Sequence, residues 1–74
     1  MVVKFTCTTD DKKNFYKIKE KVNFHRATTM REKQRDMKND FFCEFEILSH
    51  GGSLYRELKD SGLCKNILLI SQPE

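Results

Sequence analysis

Seventy-four residues with a formal net charge of +3, 34% charged and 38% hydrophobic positions describe one small domain that folds. At this size folding buries only about 60% of the surface of the unfolded chain, so stability is marginal or shared with a partner, and pairing of two copies is attractive without being specified. Three cysteines, an odd number without a Cys-x-x-Cys pair, make a poor disulfide or zinc framework. With no apolar leader and no apolar stretch long enough to span a membrane, they predict reduced thiols in a cytoplasmic protein without membrane, metal or cofactor.

Taken in chain order, "VVKFTC" alternates Val3, Phe5 and Cys7 against Val2, Lys4 and Thr6, which predicts a strand. The next segment, "NFYKIKEKVNFH", fits two periods. Phe15, Ile18, Val22 and His25 form a helical stripe, whereas Tyr16, Ile18, Val22 and Phe24 fit alternation broken at Glu20. Periodicity does not choose between them; the aromatic and β-branched content and the turn-like "TDDKKN" before it favour a hairpin. After it, "TTMREKQRDMKND" carries a capping box, Thr29 with Glu32, and predicts a polar surface helix over residues 29–39 with Met30 and Met37 as inward anchors.

The second half is more readable. "FFCEFEIL", residues 41–48, sets Phe41, Cys43, Phe45 and Ile47 on one face and Phe42, Glu44, Glu46 and Leu48 on the other, a strand with one apolar and one mixed side. A Gly51-Gly52 turn leads to a short helix over 53–61, with Ser53 as its N-terminal acceptor, Leu54 and Leu58 on one stripe and Gly62 as its left-handed stop. "KNILLIS", apolar on both faces, predicts a strand covered on both sides, and "SQPE" at 71–74 a frayed tail. Strand, helix and strand suggest a C-terminal β-α-β unit. The expected class is therefore α+β: a mixed sheet of three or four strands with two short helices.

Charge is the most uneven feature. Residues 12–38 hold ten Lys or Arg against Glu20, Glu32 and Asp36, while residues 39–74 carry a net negative charge. In the helical reading of 29–39, Arg31, Arg35 and Lys38 form one stripe; in the strand reading of 15–24, Lys17, Lys19 and Lys21 form one row that Glu44 and Glu46 could face. With Arg26, these seven cations are candidates for contacting a nucleic-acid backbone or an acidic protein partner. No Lys/Arg-Gly-aromatic motif, Gly-x-x-Gly clamp or zinc-finger spacing narrows the choice.

A weaker candidate is the turn at 50–56, where His50, Gly51, Gly52, Ser53 and Arg56 could hold a phosphate or other anion at a helix N-terminus, although no nucleotide-binding fingerprint accompanies the glycines. Glu44 and Glu46 read as a solvated strand face, the cysteines as core, and the two histidines have no visible partner in sequence. The expectation is a non-enzymatic regulatory or accessory module. It would bind nucleic acid through the 12–38 block, or bind and modulate a larger protein as a small inhibitor or adaptor.

Overall fold

The computed structural model describes residues 2–71. It is α+β, a four-stranded antiparallel sheet with two helices on one face. Elements follow the order β1 (Val2–Thr9), α1 (Lys12–Phe24), β2 (Thr28–Met37), β3 (Asp40–His50), α2 (Ser53–Ser61) and β4 (Asn66–Ser71). The strands lie side by side as β2-β3-β1-β4, the split β-α-β arrangement of the ferredoxin-like type. β3 and β4 run parallel and are joined through α2, but β1 lies between them and pairs antiparallel with both, so the sheet is not mixed. Ser71 closes β4, and the rest of the expected frayed tail, residues 72–74, lies outside the described residues.

The core follows from alternation in the two central strands. Val3, Phe5 and Cys7 of β1 and Cys43, Phe45 and Ile47 of β3 point to one side, where Phe15, Ile18 and Val22 of α1 and Leu54 and Leu58 of α2 pack on them. Phe15 stacks on Phe45 at a ring separation of 5.7 Å and meets Phe41 edge-on at 5.2 Å. Thr9 and Ser49 are the polar residues buried here, and each hydroxyl is satisfied locally, Thr9 Oγ1 by the Asp11 backbone and Ser49 Oγ by donating to the Gly51 carbonyl at 2.9 Å.

Two expectations are corrected. Residues 12–24 form a helix, not a hairpin, because both ends are capped. Asp11 Oδ1 accepts from the Lys13 and Asn14 amides at 2.8 and 3.3 Å. At the far end the Ala27 amide reaches the Val22 carbonyl and the Arg26 amide the Asn23 carbonyl, a Schellman stop with Arg26 left-handed at φ 54°. Residues 28–37 form strand β2, not a helix, and Thr29, the expected cap, lies opposite Ile47 of β3. A helix would have stacked Arg31 on Arg35 and Glu32 on Asp36, both like-charged pairs four apart, whereas a strand separates the cations and the acids onto opposite faces. The two-residue turn Lys38-Asn39, with Asn39 at φ 60°, joins β2 to β3.

The remaining differences are local. Gly52, without a side-chain hydrogen bond, occupies the N-cap of α2, and Ser53 is already its first helical residue. Left-handed Gly62 does end α2, and Leu63 packs against the core. β4 is an edge strand rather than one covered on both sides: Ile67 is partly buried, whereas Leu68, Leu69 and Ile70 are exposed. Met30 and Met37 are exposed as well and, among the described residues, are not part of the core they were expected to anchor.

Arg26 holds a backbone conformation that costs a side-chain-bearing residue about 1 kcal/mol or more. Arg26→Gly is therefore expected to raise the unfolding free energy by about 1 kcal/mol, measured by urea denaturation with an unchanged m-value.

Candidate functional site

Strand geometry divides the basic block. On β2, Arg31, Lys33 and Arg35 share the sheet face that no helix covers, while Glu32 and Asp36 point to the helix side. Successive cations in this row stand about 7 Å apart, two residues of strand rise. Across the strand boundary Arg31 is opposite Glu46, Lys33 opposite Glu44 and Arg35 opposite Phe42, over whose ring its guanidinium sits at 5.5 Å. The register shift between Thr29 and Arg31 lets Met30 bulge and sets the phase of this row. Lys38 is apart from it in the hairpin turn, so the stripe expected for Arg31, Arg35 and Lys38 is replaced by a row of Arg31, Lys33 and Arg35.

The lysines of α1 do not form a row. Lys19 leans to β2 and pairs with Glu32 at 3.6 Å, Lys21 leans to α2 and pairs with Glu57 at 2.7 Å, and Lys17 is exposed. Lys12 joins Asp36 at 2.8 Å, and that hydrogen bond raises its ammonium above the ordinary value. Arg35 meets Asp40 at 3.1 Å. The acids that interrupt the block in sequence thus neutralise part of it in space. Lys13, Lys17, Arg26, Arg31, Lys33 and Lys38 have no ion pair among the described residues. Glu44 and Glu46 do face cations, but from β2 and β1, not from residues 17–21: Lys4 reaches Glu46 at 3.6 Å.

The 50–56 turn brings Arg56 over Gly52, its guanidinium 3.6 Å from where a Cβ would stand. Gly51 sits at φ +114°, a conformation that requires glycine. His50 and Ser53 are exposed on either side, and the turn borders a cleft of about 320 Å³ with Val3, Tyr55 and Leu69. His25 has a partner that sequence did not show: its Nε2 lies 3.2 Å from Glu57 Oε1, so Glu57 ties the end of α1 to α2 through both Lys21 and His25. An open groove of about 590 Å³ runs past this cluster, with Phe24 exposed on its rim. Among the described residues no three His, Cys, Asp or Glu side chains gather to hold a metal, and no helix is long and apolar enough to cross a membrane.

No protein-family model matches the chain, and no curated protein is similar to it in sequence. Solved structures share its fold. One, from Galdieria sulphuraria and described as an unknown protein, aligns over 99% of this chain with a TM-score of 0.59 and 11% identity. Another, GqqA, described as a novel type of quorum quenching acylase, aligns over 92% with a TM-score of 0.55 and 11% identity. This chain covers 46% of the first and 27% of the second, and at such identity the likeness is one of fold.

Glu57 is held below its ordinary value of 4.5 chiefly by the Lys21 hydrogen bond and then by His25. A carboxylate with a lowered folded value stabilises the protein fully above its unfolded pKa and ceases to do so as pH falls through the folded one. Glu57→Gln is expected to flatten the loss of Tm on acidification between about pH 6 and pH 3, read by circular dichroism, with little effect on the slope above that range.

Proposed function

We propose that the chain is a small accessory module that works by binding, and that its target is an extended acidic segment of a larger protein, which adds to the free edge of β2. The observation that carries this reading is the row of Arg31, Lys33 and Arg35 on one face of an edge strand whose outward amides and carbonyls have no ladder partner among the described residues. An added strand would bond to those backbone groups, and its alternate residues would stand beside the three cations. Segments with acids at every second position are thereby favoured, each opposite-charge pair contributing about 0.2–1 kcal/mol.

The same charges discourage indiscriminate pairing, as edge-strand charges do in general. A continuous phosphate surface is less well supported, because the unpaired cations lie on both layers: Lys13 and Lys17 on α1, Arg31 and Lys33 on the uncovered sheet face, where Glu44 and Glu46 intervene. A small adaptor or inhibitor of a larger protein fits this arrangement.

A fluorescein-labelled ten-residue peptide alternating Glu and Thr tests it by anisotropy. Binding is expected, with an Arg31→Glu/Lys33→Glu variant weaker by tenfold or more and regaining affinity for a Lys/Thr counterpart. Labelled single- and double-stranded DNA and RNA form the opposing arm. If they bind, with affinity falling by orders of magnitude between about 50 and 200 mM salt, and the peptide does not, the module reads phosphates instead.

The opposite edge supports a second contact, with another copy of the chain. β4 carries no charge from Asn66 to Ser71 and exposes Leu68, Leu69 and Ile70, so it lacks the gatekeepers that protect β2. Light scattering at rising protein concentration is expected to show self-association that Leu68→Lys reduces; a concentration-independent monomer for the natural sequence excludes it.

A further inference from the structure

Three thiols sit on the helix side of the sheet or at its margin, and they are not equivalent. Cys7, in the central strand β1, and Cys43, in β3, are fully buried. Cys64, in the connection between α2 and β4, is partly exposed, and its Sγ lies 3.0 Å from Cys7 Sγ in hydrogen-bond contact. The chain brings them together because β4 pairs with β1 in a register that sets Cys7 opposite Ile67, while the Lys65 amide donates to the Thr8 carbonyl at 2.7 Å and pins the entry to β4 beside β1. A pair of thiols within hydrogen-bond distance, one buried and one reachable from solvent, has the arrangement of a resolving and an attacking sulfur.

From this juxtaposition we infer that Cys7 and Cys64 form a reversible dithiol–disulfide pair, oxidised by low-molecular-weight disulfides of the glutathione type. Cys64 acts first. Its thiolate attacks one sulfur of the small disulfide, the S–S bond breaks, and a small thiolate leaves and takes up a proton, giving a mixed disulfide on Cys64. Cys7 then loses its proton to the departing second thiolate and attacks the Cys64 sulfur, closing the Cys7–Cys64 bond. The protein gives up two electrons and two protons, and the small disulfide becomes two thiols.

The order of attack agrees with the environment of each sulfur. The mutual hydrogen bond, followed by burial, holds the Cys7 thiol far above its ordinary value, while the same hydrogen bond lowers that of Cys64 against the effect of burial. Cys43 is the internal control: burial pushes its thiol up to about 11, and it stands opposite Thr9 rather than in contact with Cys64. The bond would tie β1 to the start of β4 across 57 positions of sequence, a long loop whose closure restricts the unfolded chain strongly.

The full-length protein would be equilibrated with glutathione and oxidised glutathione at stepped ratios, acid-quenched, alkylated and read by intact and peptide mass spectrometry. Expected are a species about 2 Da lighter, its bond mapped to Cys7 and Cys64, reversal by excess reduced glutathione, and a Tm higher by on the order of 10–30 °C in the oxidised form. Cys43→Ala leaves this behaviour intact. Cys64→Ser abolishes the bond, and because Cys64 is only partly buried this variant retains the native circular dichroism spectrum. Cys7→Ala, if folded, stops at the mixed disulfide on Cys64. A native protein that remains a trithiol under oxidised glutathione, or that bonds Cys43 instead, overturns the inference.

Discussion

Everything in this fold depends on packing two helices against one face of two central strands. β1 and β3 each place every second residue under α1 or α2, and the side chains that result, from Val3 and Phe5 to Phe45 and Ile47, meet those of the helices to collect the apolar area that offsets the ordering entropy of the chain. A second layer on the other face would need another continuous set of apolar residues, and the alternation supplies only scattered ones: Val2, Phe42, Leu48 and Leu68 stand there among Lys4, Thr6, Thr8, Glu44 and Glu46. The one-sided core therefore fixes the sheet as half covered. It also leaves two free edges, because four strands in an open sheet cannot close on themselves.

The charge asymmetry has its structural meaning within that frame. A basic stretch continuous in sequence crosses from helix to strand, so its cations are dealt out to two layers and three directions. Lys12 and Lys19 come back to the acids of β2 and help hold α1 over an otherwise exposed edge, while Lys21 with Glu57 links the two helices. Such exposed pairs contribute little individually. Their larger effect is on orientation, since they consume the acids on the helix side and leave Arg31 and Lys33 without an ion-paired acid on the uncovered side, among the described residues. The recognition proposed for β2 would then rest on charge order rather than total charge.

Much of the core was legible from period alone. Val3, Phe5, Cys7, Cys43, Phe45 and Ile47 declare themselves by alternation, Leu54 and Leu58 by their spacing and Gly62 by its position after them. Where the reading went astray, the decisive signals were present but short. Asp11 ahead of the Phe15, Ile18, Val22 stripe is an N-cap, and it separates the helical period from the accidental alternation of Tyr16 and Phe24. In β2 the informative period belongs to charge, not hydrophobicity: Arg31, Lys33 and Arg35 alternate with Glu32, Gln34 and Asp36, and the apolar pattern is silent because an edge strand exposed on both sides buries nothing. The capping-box match at Thr29 and Glu32 was outweighed by ladder hydrogen bonds to an eleven-residue β3 that had no other neighbour on that side.

The pairing of Cys7 with Cys64 marks the limit of such reading. Neither spacing nor local pattern relates residues 57 apart; only the strand order does, by seating the last strand against the first. That order also explains why chemistry there would matter. β4 is held by a single ladder to β1 and contributes Ile67 to the margin of the core, so it has less packing to keep it in place than any central strand. A covalent bond at its entry would act on an edge strand at the point where it joins a central one. The consequence for the rest of the molecule follows from position: β1 and β3 would be unaffected, while the apolar edge formed by Leu68, Leu69 and Ile70 would be held more firmly to the sheet under oxidising conditions than in the thiol form, where the ladder to β1 holds it without a covalent bond.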